Sequence, residues 1–207
     1  MKLYYMPGAS SLAVHIILRE SGLDFSIEKV SFFTKLTEHG EDFLTINPKG
    51  KVPALLLDDG TLLTEVVAIV QYLGDRVPDR HLIPAPGTLS RYQALEWLNY
   101  VASELHQGLN SLFDNQIPQD YQIQLRQQME VKLLYLDREL AGQDYLLGNR
   151  FSVADAYLFT MLTWTERLGF DLGTSPMVAR FYRHIHDRPA VAAALAAEHQ
   201  EAQAQAM

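Results

Sequence analysis

The chain has 207 residues, 48% hydrophobic and 20% charged, with a formal net charge of −8 and a pI near 5.3. That acidity argues against a nucleic-acid or anionic-membrane partner, which would want a basic surface. There is no cysteine, so disulfides, thiolate metal sites and a cysteine nucleophile are excluded, and any thiol chemistry must bring its sulfur on a ligand. No apolar run approaches membrane-spanning length, and MKLYYMPGASS turns before a signal-peptide core develops. A cytoplasmic location is the expectation.

The first eighty residues mix strands and helices. Leu3 to Met6 reads as a strand that ends in Pro7-Gly8, and Ser11 to Ser21 as an apolar helix closed by Gly22. FSIEKV alternates like a second strand, and β-α-β order implies parallel pairing. KVPALLL is a short apolar strand, Asp59-Gly60 turns the chain into TLLT, and EVVAIVQYLGDRV is a helix.

PDRHLIPAPG is Pro-rich and reads as a linker, after which the period is helical throughout. Leu95, Leu98, Ala102, Leu105, Leu109 and Leu112 share one helix face, and Leu125, Met129, Leu133, Leu136 and Leu140 share the next. FSVADAYLF opens another helix, with Ser152 as N-cap and Asp155 three residues on, close to a capping box. Its stripe is Tyr157, Met161, Trp164 and Leu168. Ser175-Pro176 starts a further helix. The Ala-rich tail is helical by propensity, with an end expected to fray. The layout is therefore an α/β domain over 1–80, a linker over 81–86 and an all-helical domain over 87–207. A cleft between the two is the natural place for a small ligand.

Four features could carry chemistry. Ser10 and Ser11 stand at a strand-to-helix junction, where backbone N–H groups and the helix dipole favour an anion. Taken alone, the pair is better accounted for by one serine that caps the helix and one that is solvated. Ser11 and His15 lie four apart, the spacing of a hydrolase pair, but GASSL lacks the second glycine of a nucleophile elbow and no acidic partner for His15 is evident, so packing is the expected role of His15. Pro53 within a strand implies either an edge position or a cis Val52-Pro53 peptide, and the latter would leave the Val52 backbone ready to pair with an extended peptide. Thr64-Glu65-Val66 opens a helix whose N–H groups can take a carboxylate while Glu65 takes an ammonium. A free α-amino acid group carries both, although a threonine cap with a first-turn acid accounts for the same residues.

In the helical half, Asn99, Ser103, His106 and Asn110 form a short-chained, uncharged polar stripe, which suits a binding wall better than a solvated Lys/Glu face. A metal site is not expected: His184 and His186, two apart, point different ways on a helix, and no His/carboxylate cluster is evident.

Taken together, the β-α-β/β-β-α order, the Val-Pro strand, the Thr-Glu helix start and FSVADAYLF resemble the cytosolic glutathione transferases over essentially the whole chain. MKLYYMPGASSLAVHIILRESG, NPKGKVPALLLDDG, LTE, ASELH and TW are closest to the bacterial beta class. The resemblance implies an α/β thioredoxin-like N-terminal domain followed by an all-α helical C-terminal domain, with glutathione as co-substrate and no metal. It implies that Val52 and Pro53 pair with the cysteinyl backbone of glutathione, that Glu65 and Val66 hold its γ-glutamyl end, and that Lys35 meets its glycyl carboxylate. Asn99, His106 and Trp164 would approach from the helical domain, and Ser103 from the partner of a homodimer. Beta-class enzymes typically carry a cysteine where this chain has Ser10; Val66 replaces a residue that is often small, and Gln107 stands where some relatives have a cation.

The implied activity is conjugation of the glutathione thiolate to a small hydrophobic electrophile, a detoxification reaction, with Ser10, Ser11, Tyr5 and His106 as candidate donors to the sulfur. One of the two serines would cap the helix and the other face the thiol. Cysteine-dependent disulfide exchange is ruled out. A non-catalytic glutathione-binding module and a specialised glutathione-dependent peroxidase, isomerase or dehalogenase are the alternatives.

Overall fold

The computed structural model of the chain describes residues 1–204, with side chains to residue 198. The described chain forms two compact units, Met1–Leu82 together with the C-terminal segment from Arg188, and Ile83–Asp187. The first is built on four strands, β1 (Lys2–Tyr5), β2 (Ser26–Lys29), β3 (Ala54–Leu56) and β4 (Leu62–Thr64), with helices α1 (Ser11–Ser21), α2 (Phe43–Ile46) and α3 (Val66–Arg76). The sheet order is β2-β1-β3-β4. β1 and β2 run parallel, as the intervening helix requires, and β3 is antiparallel to both β1 and β4. Between β3 and β4, Gly60 takes φ 86° in a three-residue hairpin loop closed by Leu57 N–H on Thr61 O at 2.8 Å.

Helix α1 ends as its sequence dictates, with Gly22 in the left-handed region at φ 71°. Every residue from Ser11 to Leu18 is buried. A one-sided surface helix would not bury so much, and the reason lies at the far end of the chain. The last helix, α9 (Pro189–Ala204), packs on α1 alongside α3. The 87–207 helical domain read from sequence texture differs from the structure here, because the tail returns to the first unit. The fraying expected at the extreme end falls outside the described residues.

The second unit holds α4 (Leu89–Tyr100), a π-helical segment Val101–His106, α5 (Gln107–Ser111), α6 (Gln119–Glu139), α7 (Val153–Arg167) and α8 (Pro176–His186). α7 is buried along Val153–Leu162 and forms the centre of this unit, which is why its sequence is apolar all round. Its N-terminus carries the acidic half of a capping box. Asp155 accepts the Ser152 N–H at 2.8 Å, the Ser152 hydroxyl at 2.7 Å and the Leu146 N–H at 2.8 Å. The α6 stripe Leu125, Met129, Leu133, Leu136 and Leu140 is buried throughout. From α4 into the π-helical segment the buried line runs through Ala94, Leu98 and Val101 rather than through Leu95 and Ala102. Ser175 does not cap α8: its buried hydroxyl has no partner among the described residues, and Asp137 of α6 accepts the Met177 and Val178 N–H groups at 2.6 and 3.1 Å instead. No helix of the described residues is long and apolar enough to cross a membrane.

Candidate functional site

In the first unit, strand register gathers three separate stretches at one end of the sheet. Tyr4 pairs with Ala54, and Ala54 with Thr64. The turn after β1, the residues before β3 and the residues after β4 must therefore meet at that edge. They are Met6–Ser11, Val52-Pro53 and Glu65-Val66.

The Val52-Pro53 peptide is cis. Pro53 precedes a strand paired on both sides, so the edge-strand alternative does not apply. The β1–β3 ladder ends at the Tyr4–Ala54 pair, which leaves Val52 beyond it. Glu65 sits at φ 74°, a backbone region that a non-glycine residue rarely adopts and that is often found at functional sites. Its carboxylate is exposed and takes the Lys49 ammonium at 2.7 Å, which also donates to Thr64 Oγ1 at 2.9 Å. Val66 is buried at the first position of α3. The first-turn N–H groups there have no intrahelical acceptor, as at any helix start. Lys35, at φ 56°, donates to Gly50 O at 3.2 Å and lies 4.8 Å from the Phe32 ring centroid, which ties it to the segment leading into Val52.

The two serines differ. Ser11 is fully buried, donates its hydroxyl to Met6 O and accepts the Met6 N–H, both at 3.2 Å. It closes the turn rather than capping the helix. Ser10 occupies the N-cap position, but its side chain makes no capping bond. The expectation that one serine caps α1 through its side chain is thus corrected. Tyr5, the last residue of β1, is fully buried with its ring 6.1 Å from that of His15.

His15 does have an acidic partner. Its Nδ1 lies 3.1 Å from Glu198 Oε1, while Arg19 Nε donates to its Nε2 at 2.9 Å. Both ring nitrogens are engaged, so the Ser11–His15 hydrolase pair does not form. Glu198 lay 183 residues away and was invisible to local spacing.

In the second unit the polar stripe divides. Asn99 and Ser103 are exposed, and their side chains bond to the carbonyls of Leu95 and Asn99 on their own helix. Asn110 and Gln107 are exposed as well. His106 instead faces α7, with its Nδ1 2.6 Å from the Tyr157 hydroxyl and its ring 5.0 Å from Trp164. Phe113 stacks edge-on to Trp164 at 5.4 Å. Tyr157 reads in sequence as core, and a buried phenol that needs a hydrogen-bond partner was the available signal. Lys49 was marked by nothing beyond its place in NPKGK. Among the described residues, no group of three His, Asp or Glu could hold a metal ion.

Fold and site together define a thioredoxin-like α/β unit with a loop-built edge, followed in the chain by an α-helical unit. Family models for the glutathione S-transferase N-terminal domain and C-terminal domain match residues 9–76 and 93–189. The chain belongs to the glutathione S-transferase family. It is 50% identical over 198 residues to glutathione S-transferase GstA of Escherichia coli O157:H7, covering 96% of this chain and 98% of GstA. A sphingomonad glutathione S-transferase solved in complex with glutathione superposes with a TM-score of 0.92 at 47% identity, covering 96% of this chain and 98% of that one. The beta-class enzyme of Sphingomonas chungbukensis gives a TM-score of 0.92 at 44% identity with the same coverage.

Proposed function

We propose that the protein is a cytoplasmic, homodimeric glutathione transferase that conjugates the glutathione thiolate to small hydrophobic electrophiles. The observation that carries this reading is the meeting of the Ser10 turn, Val52-Pro53 and Glu65-Val66 at one sheet end, in a chain so similar to a glutathione-bound relative. The Val52 backbone beyond the ladder is suited to pair with the cysteinyl residue. Glu65 and the start of α3 suit the ammonium and carboxylate of the γ-glutamyl end, and Lys35 suits the glycyl carboxylate.

A free thiol with a pKa of ~8.5 is mostly protonated at neutral pH. Because the Ser11 hydroxyl is committed to Met6, Ser10 is the hydroxyl that donates to the sulfur. One charge-assisted hydrogen bond contributes about 1.5–3 kcal/mol, or one to two pKa units, which turns a minor thiolate population into a major one. His106, held by Tyr157, is the second donor candidate, and Trp164 and Phe113 beside it supply aromatic surface for an apolar electrophile. Tyr92 and Leu89 of α4, and Val131 and Leu134 of α6, are large apolar side chains left exposed on the second unit, of the kind homodimer interfaces cover. Ser103, exposed on the same stretch of chain, is the residue proposed to act across that interface, and Asn99 approaches glutathione from the helical domain.

The test is a glutathione titration followed by thiolate absorbance across pH, with an aryl-halide conjugation assay on the same preparation. The expected result is a bound thiol that titrates well below its free value, with turnover. Binding without thiolate or turnover would replace this reading with that of a glutathione-binding module, and absence of binding would overturn both.

A further inference from the structure

Glu198 is a carboxylate that the proposed chemistry does not use, yet its side chain is only 4% exposed. Its Oε2 accepts the Gly8 N–H at 3.0 Å, and its Oε1 lies 3.1 Å from His15 Nδ1. The protons of this chain can be assigned. Arg19 Nε is always a donor, so His15 Nε2 is the acceptor of that 2.9 Å bond. A neutral imidazole then carries its proton on Nδ1 and donates it to Glu198. Arg19 and Glu198 are thus opposite charges joined through a neutral ring, and both carboxylate oxygens hold a donor.

The Gly8 end of this chain lies in the turn that delivers Ser10. Ala9 N–H closes on Met6 O at 3.0 Å, Gly8 stands at φ 69°, and Ser11 ties the turn from its helix side through Met6. Glu198 ties it from α9. The turn is held from both sides, and Ser10 rides on it with no capping bond of its own. We infer that Glu198 is a positioning residue for the Ser10 hydroxyl: through Gly8 it sets where that hydroxyl meets the glutathione sulfur. This rests on the reading of Ser10 given above.

A carboxylate is needed at this position. The glutamine of Glu198→Gln would present one oxygen and one NH2 group to two donors, Gly8 N–H and His15 Nδ1–H. Moving the imidazole proton to Nε2 would relieve that clash only by setting N–H against the Arg19 N–H. The variant therefore perturbs the turn without opening a cavity.

A second tie of the same helix supplies the control. Arg188, just before α9, donates to Glu20 of α1 at 2.8 Å, a bond that ties α9 to α1 at the other end of that helix from the Met6–Ser11 turn. The experiment compares wild type, Glu198→Gln and Arg188→Met for thermal midpoint, for thiolate absorbance with saturating glutathione at one neutral pH, and for kcat and KM toward an aryl halide. Both substitutions are expected to lower the midpoint. Only Glu198→Gln is expected to reduce the bound thiolate fraction, with kcat/KM falling about three- to tenfold, the scale of one weakened charge-assisted hydrogen bond. If Glu198→Gln does not fold, Glu198→Asp keeps the charge but reaches one donor only, and an intermediate thiolate fraction is expected. An unchanged thiolate fraction in the Glu198 variant, or an equal loss in Arg188→Met, would reduce Glu198 to a helix anchor and overturn the inference while the transferase reading stood. A wild-type protein without thiolate would remove the transferase reading and this inference with it.

Discussion

Adjacent serines of identical chemistry are set apart by the two hydrogen bonds that Ser11 makes with Met6. Ser11 spends its proton on Met6 O, and Ser10 does not cap the helix it precedes. Substituting each should therefore have opposite signatures. Ser10→Ala is expected to raise the bound-thiol pKa by about one to two units and lower turnover at neutral pH by about ten- to a hundredfold, with little change in thermal midpoint. Ser11→Ala leaves the Met6 amide without its partner and should cost about 1 kcal/mol, a fall of about 2–4 °C for a chain of this size. Thiolate absorbance and thermal melts of the two variants check this directly.

At the level of the element, the start of α7 carries a proton balance. Burial is the dominant influence on Asp155 and pushes its carboxyl up to about 6 from an ordinary 3.8, against the lowering effect of the donors from Leu146 and Ser152. Between these two values the folded chain holds a proton that the unfolded chain has lost. The contribution to stability is complete below about pH 4 and is lost as pH rises through about 6, amounting to about 3 kcal/mol at most. Asp155→Asn cannot titrate, so its midpoint should lack this decline between pH 4 and 7 while lying below wild type, because an amide cannot accept from every donor that the carboxylate holds. Parallel melts across that range decide the matter; equal slopes would remove Asp155 as the source. The helix that follows is capped from a distance, through Asp137.

Across the whole molecule, the decisive event is the return of the chain end to the first unit. Residues Ser11–Leu18 of α1 are buried at every position, with α9 and α3 both packed against the helix. A chain truncated after Asp187 would expose the α1 face that α9 covers and would strip Gly8 and His15 of Glu198. Such a chain is expected to aggregate rather than to bind glutathione weakly. Recovery of soluble, glutathione-binding protein from that truncation would show that the first unit is complete without its last helix.

Much of this was legible in the residues themselves. Gly22 closes α1, Asp155 stands three after Ser152, and the apolar periods of α6 and α7 read directly as helices, because these signals depend only on neighbours within a turn or two. The Val-Pro and Thr-Glu stretches could be marked, but each kept a plain structural alternative. Strand register was needed to bring them to one edge with the Ser10 turn. The division of roles between Ser10 and Ser11, the capping of α8 by Asp137 and the pairing of His15 with Glu198 had no local signature. Local pattern specifies helices, turns and strands, since their hydrogen bonds close over a few residues. Which polar groups meet across 40 or 190 residues depends on how the buried faces pack, and only the tertiary structure decides that.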